Sequence, residues 1–99
     1  MSENIYQEAL EAFGAQHQLM KVAEEASELA TAALHMLDGR DAMAELAEEA
    51  ADMEIILAQL RLLIGDEIDK QKTRKLKRLR ATLNGMPIIN RLKDRLAAV

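Results

Sequence analysis

Helix-breaking residues are almost missing from this chain, and those present are spaced like punctuation. Glycine stands at positions 14, 39, 65 and 85, and the single proline follows at 87. The stretches between them are rich in alanine, leucine, glutamate, methionine, lysine and arginine, the residues that lose least on entering a helix. Apolar-polar alternation nowhere persists beyond a few residues, so a sheet has neither strands nor turns to form from. A chain of 99 residues is the length of one domain. The expected fold is all-α, an antiparallel four-helix bundle with short connections over residues 1–85. A short amphipathic C-terminal segment, residues 86–99, follows it.

The elements can be placed from periodicity and stop signals. A first helix begins near Ser2, carries Ile5, Ala9 and Phe13 on one side, and stops near Gly14. A second runs from about Ala15 to Asp38. Its expected core stripe is Leu19, Ala23, Ala26, Ala30, Ala33 and Leu37, at three-to-four spacing. Gly39 suits the left-handed position after a helix end, and Asp41 suits the next N-cap. The third helix carries Met43, Leu46, Ala50, Met53, Leu57 and Leu60 and ends near Gly65. Asp66 is the expected N-cap of a fourth, with Ile68, Leu76, Leu79 and Leu83 along one stripe and an end at Asn84-Gly85. Past Pro87, a short last helix repeats Ile88, Leu92 and Leu96 at i+4.

Composition excludes several function classes. With no cysteine there is no disulfide scaffold, thiolate metal site or thiol nucleophile. One phenylalanine, one tyrosine and no tryptophan give no stacking platform for nucleic acid. No apolar run approaches a membrane span. The first residues have neither a basic nor an apolar signal region, which points to a cytoplasmic protein with no membrane partner. His17 and His35 have no metal-ligand spacing and read as helix-surface or packed residues. The net charge of -4 hides a division. Residues 1–69 hold 16 acids and three bases, whereas residues 70–99 hold ten bases and one acid.

The acids on the second and third helices are arranged. The second helix carries Glu24, Glu25 and Glu28, and the third carries Glu45, Glu48, Glu49 and Asp52. Residues three apart share a helix face, so Glu25 with Glu28, and Glu49 with Asp52, each form a carboxylate pair. In an antiparallel hairpin, residues with one sequence midpoint sit at one height. Glu28 and Glu49 have the midpoint 38.5, and so do Glu25 and Asp52; it falls between Asp38 and Gly39, at the expected turn. The two pairs therefore face each other roughly 15 Å from the turn, at 1.5 Å per residue. Four converging carboxylates repel one another unless a cation intervenes. Oxygen-only donors favour Mg²⁺ or Mn²⁺ over zinc. The full string, Glu-Glu-x-x-Glu, 20 residues, then Glu-x-x-Asp, is expected by chance roughly 0.01 times in such a composition. The competing reading is a pair of solvated outer helix faces.

Glu24-Glu25-x-x-Glu28 followed by Glu49-x-x-Asp52 resembles the signature of the all-α nucleoside triphosphate pyrophosphohydrolases, the superfamily of the MazG proteins. The resemblance covers roughly residues 5–83 and is closest to the small single-domain MazG-like type of bacteria and phages. It implies a hydrolase that splits a (deoxy)nucleoside triphosphate between the α- and β-phosphorus, giving the monophosphate and pyrophosphate with Mg²⁺ as cofactor. It also implies that Glu25, Glu28, Glu49 and Asp52 are Mg²⁺ ligands and that Glu24, with Glu48, is an adjacent acid that orients or deprotonates water, Glu24 being counted with the catalytic set. Lys21 matches a phosphate-contacting lysine one turn before the Glu-Glu pair. Lys75 and Arg78 resemble the basic residues of the Asn-x-Lys-Phe-x-Arg-Arg element of larger MazG proteins. Thr73, Leu76 and Leu79 depart from that element.

So small a bundle has few residues with which to close over a nucleotide, so a homodimer or homotetramer is expected. The seven bases between Lys70 and Arg80 exceed what one triphosphate needs. They define the alternative reading, a non-catalytic helical module whose basic fourth helix binds nucleic acid or an acidic partner.

Overall fold

The computed structural model describes residues 2–86, with side chains from Ile5 onward. These residues form three helices and no strand: α1 (Ser2–Phe13), α2 (Ala15–Leu37) and α3 (Met43–Asn84). The all-α expectation holds. The expected third and fourth helices run together as α3, which a kink at Ile64 interrupts beside the expected stop at Gly65; the described residues thus count three helices. The short helix expected at residues 88–98 lies outside them. No helix among the described residues is long and apolar enough to cross a membrane.

The glycines at 14 and 39 end helices in a way that the one at 65 does not. Gly14 (φ +87°) and Gly39 (φ +80°) take left-handed backbone conformations. Gly39 closes α2 in a Schellman motif: its N–H donates to the Met36 carbonyl (3.0 Å) and the Arg40 N–H to that of His35 (3.1 Å). Leu46 N–H donates to the Ala42 carbonyl (2.8 Å), which makes Ala42 the N-cap of α3 and leaves the expected cap, Asp41, one residue outside. Gly65 has no positive φ. The helical geometry breaks beside it, in a kink at Ile64 (φ −134°, ψ 30°). A glycine inside a helix costs about 1 kcal/mol relative to alanine and does not force a stop.

This difference is measurable. An added Cβ meets nothing within 4 Å at Gly39 or Gly65, so backbone conformation alone decides each outcome. Gly39→Ala should destabilise by about 1–2 kcal/mol, the cost of a left-handed alanine. Gly65→Ala should be neutral or stabilise by up to about 1 kcal/mol. Urea midpoints of the two variants report the signs; an equal loss in both would show that Gly65 also serves a turn.

The chain divides into two compact units, Met1–Gly65 and Asp66–Val99. In the first, α1 meets α2 at Gly14, and α2 forms an antiparallel hairpin with the start of α3. Its face toward α3 is the heptad-spaced set Gln18, Glu25 and Ala32. Ala42, Ile56 and Gln59 are the buried residues opposite. The core stripe expected on α2 is displaced. Leu19, Ala23, Ala26, Ala30 and Leu37 are exposed and Ala33 is half-buried, because the buried arc lies one residue, about 100°, away. On α3, Met43 and Leu57 are exposed, while Leu46, Ala50, Met53 and Leu60 are half-buried. The arc that α2 turns toward its helix partner is mixed, with Gln18 and Glu25 among Val22, Leu29, Ala32 and Met36. The cross-helix hydrogen bond from Gln18 Nε2 to Gln59 Oε1 (2.6 Å) marks that arc.

In the second unit, the helical residues 66–84 expose every base from Lys70 to Arg80. Arg74 donates to Gln71 Oε1 (2.9 and 3.1 Å). The helix ends where expected, with Gly85 N–H donating to the Ala81 and Thr82 carbonyls (both 3.2 Å).

Candidate metal centre

The hairpin register fixes the site. Gln18 and Gln59, hydrogen-bonded across the hairpin, share the midpoint 38.5 with Glu25 and Asp52 and with Glu28 and Glu49. The i,i+3 spacing on each helix then turns both carboxylate pairs toward one place. One carboxylate oxygen from each of Glu25, Glu28, Glu49 and Asp52 lies within 4.8 Å of all the others. Ligands on opposite sides of Mg²⁺ are roughly 4.2 Å apart at Mg–O distances of 2.0–2.1 Å, so small side-chain adjustments close the set around a cation.

The burial of the group is graded. Glu25 is 8% exposed, Glu49 and Asp52 are half-buried, and Glu28 is at the open side. Glu25 Oε2 and Glu49 Oε2 are both buried with no hydrogen-bond partner. A buried carboxylate oxygen left unpaired is costly, and two of them in one cluster fit a hard cation. Four oxygen donors and no sulfur suit Mg²⁺ or Mn²⁺. Withdrawal from water pushes the Glu49 carboxyl from 4.5 up to about 7. A hydrogen bond with Glu28 and the negative charges of Glu28, Asp52 and Glu25 push it the same way. In the absence of a cation, the cluster relieves its repulsion by keeping a proton on Glu49.

The sign of the resulting pH dependence follows. The folded chain holds this proton more tightly than the unfolded chain does. The contribution to stability is complete below pH 4.5 and is lost as pH rises through about 7. Glu49→Gln keeps the shape without the charge. In thermal unfolding of metal-free protein, its advantage over the wild type should grow across that window. A difference independent of pH would contradict the assignment.

Lys21 is drawn into the cluster. Its Nζ lies 3.3 Å from Glu25 Oε1 and 3.5 Å from Glu24 Oε2. The hydrogen bond to Glu25, helped by the charge of Glu24, raises the lysine pKa. Lys21 is thus within reach of the site but engaged by its acids. Glu24 is exposed and outside the four-carboxylate group, as one residue's turn of the helix requires. Lys75 and Arg78 are exposed residues of the second unit.

Two features at this interface escape a reading by composition. Gln18 and Gln59 form a buried amide pair, detectable in sequence only through their shared midpoint. His35 Nδ1 donates to both carboxylate oxygens of Glu45 (2.8 and 3.0 Å) near the hairpin turn, so this histidine is paired within the fold. His17 stacks on Phe13, with ring centroids 5.4 Å apart. No family model matches the chain, and no curated protein or solved structure matches it.

Proposed function

We propose that this chain is a Mg²⁺-dependent nucleoside triphosphate pyrophosphohydrolase of the all-α, MazG-like kind. The observation that carries the reading is the convergence of Glu25, Glu28, Glu49 and Asp52, with two buried carboxylate oxygens lacking partners. These four residues would hold Mg²⁺ or Mn²⁺, which supplies charge neutralisation at a bound triphosphate. The hairpin holds the carboxylates in place before substrate arrives, so little reorganisation is needed when charge develops. Water oxygen bonds to the α-phosphorus, the bond from that phosphorus to the bridging oxygen breaks, and pyrophosphate leaves. The water's proton passes to a carboxylate of the cluster. Lys21 exchanges its contact with Glu25 for a phosphate oxygen. The bundle expected of such an enzyme needs helices beyond those of the first unit, and a homodimer or homotetramer would supply them. Turnover of a nucleoside triphosphate that EDTA stops and Mg²⁺ or Mn²⁺ restores tests the reading.

A second reading rests on the row of exposed bases from Lys70 to Arg80. As a non-catalytic module, the chain would bind nucleic acid or an acidic partner through that helix. Such binding weakens steeply with salt and needs none of the four carboxylates.

A further inference from the structure

Gln18 and Gln59 are 6 and 4% exposed. Around them are Val22, Ile56, Leu60 and Leu63, which line one small pocket with Gln18 and Leu19. Burying an amide among apolar side chains is costly unless its hydrogen bonds are made. Gln18 Oε1 accepts from His17 Nδ1 (2.7 Å), and Gln18 Nε2 donates to Gln59 Oε1 (2.6 Å). Gln59 Nε2 makes a long contact with the Ile55 carbonyl of its own helix (3.5 Å). His17 shares α2 with Gln18 and follows it in any rotation of that helix. Gln59 stands on α3 and does not, so the amide contact constrains how α2 is rolled about its axis.

That roll has a competitor. Leu19, Ala23, Ala26, Ala30 and Leu37 are exposed on an arc one residue, about 100°, around the helix. Turned by that angle, α2 would bury its most apolar arc against α3 and return Glu25 to water. Apolar burial and the cost of desolvating a carboxylate both favour that turn. It would also leave Gln59 Oε1 buried without its donor, and this opposes it. Gln18 lies seven residues before Glu25, and Gln59 seven after Asp52, so each amide shares a line of its helix with a carboxylate of the cluster. The His35–Glu45 contact ties the hairpin near its turn, the amides tie its far end, and the carboxylates lie between. We infer that Gln18 and Gln59 are positioning residues for the metal centre: the match between their side chains sets the roll of α2 that carries Glu25 to Glu49 and Asp52. A buried polar pair used in this way selects one packing over another instead of adding stability.

Mn²⁺ binding to the full chain, read from the paramagnetic resonance signal of the free ion, tests it in a double-mutant cycle. Gln59→Leu strands the Gln18 amide against an apolar side chain, so α2 turns it toward water and takes Glu25 along. The Mn²⁺ Kd should rise roughly tenfold, as when a group that orients a metal ligand is lost. Adding Gln18→Leu removes the stranded amide, and the affinity should return to within about threefold of the wild type. Gln59→Met keeps the chain length without the amide and should weaken binding as Gln59→Leu does, so the test does not depend on one variant folding. A role confined to stability would lower the unfolding midpoint of the single variants and leave the Mn²⁺ affinity of the folded protein unchanged. That result overturns the proposal, and so do losses that add in the double variant. The inference rests on the four carboxylates being a metal site, which the wild type reports by itself. A wild type that binds no Mn²⁺ overturns both readings, whereas equal binding by the wild type and Gln59→Leu overturns this one alone.

Discussion

Glu49→Ala or Asp52→Ala should abolish Mg²⁺-dependent pyrophosphate release, with a loss on the order of 10³-fold, while helix content stays unchanged. Both residues sit on a continuous stretch of α3, where alanine is the best helix former. Each substitution also removes a charge from a cluster that already repels itself, so the variants should be at least as stable as the wild type without metal. Loss of activity joined to unchanged or higher stability separates a ligand from a structural residue. Glu54→Ala, an exposed acid on the same helix, should turn over normally. Retained turnover in purified Asp52→Ala would remove the metal centre from the reaction.

Mg²⁺ itself should stabilise the fold. At about a hundred times its Kd, a ligand that binds only the native state raises the thermal midpoint of a chain this small by on the order of 10 °C. The shift should be greater above pH 7 than below it, since the cation competes with the proton on Glu49. Asp52→Asn should remove most of the Mg²⁺-induced shift. An equal shift in wild type and Asp52→Asn would place the bound ion elsewhere.

The site was more legible in the sequence than the core. The coincidence of two carboxylate pairs about Asp38-Gly39 needed only helix geometry and a turn, and Gly39 makes that turn. Nothing else had to be right for Glu25, Glu28, Glu49 and Asp52 to converge. The core was harder because the arc that α2 buries is not its most apolar one. Periodicity picked the arc of Leu19, Ala26 and Leu37, and the hairpin buries that of Gln18, Glu25 and Ala32. A rule that places apolar residues inside cannot anticipate an amide pair and a glutamate at the helix contact. Gly65 and Asp66 offered the chemistry of a stop and a new cap, and the helical geometry does break beside them, at Ile64.

The charge division along the chain finds a partial account in the same terms. The acidic half holds four carboxylates arranged for a cation, whereas the bases between Lys70 and Arg80 are an exposed row with no acid among them. Lys21, paired with Glu24 and Glu25, is the base that stands beside the cluster in the first unit.

The central claim is tested most directly by incubating the full chain with a panel of ribo- and deoxyribonucleoside triphosphates and Mg²⁺ and separating the products. The proposed chemistry predicts that at least one of them yields monophosphate and pyrophosphate in equal amounts. Release of orthophosphate and a diphosphate, or no turnover of any nucleotide in the panel, would contradict it.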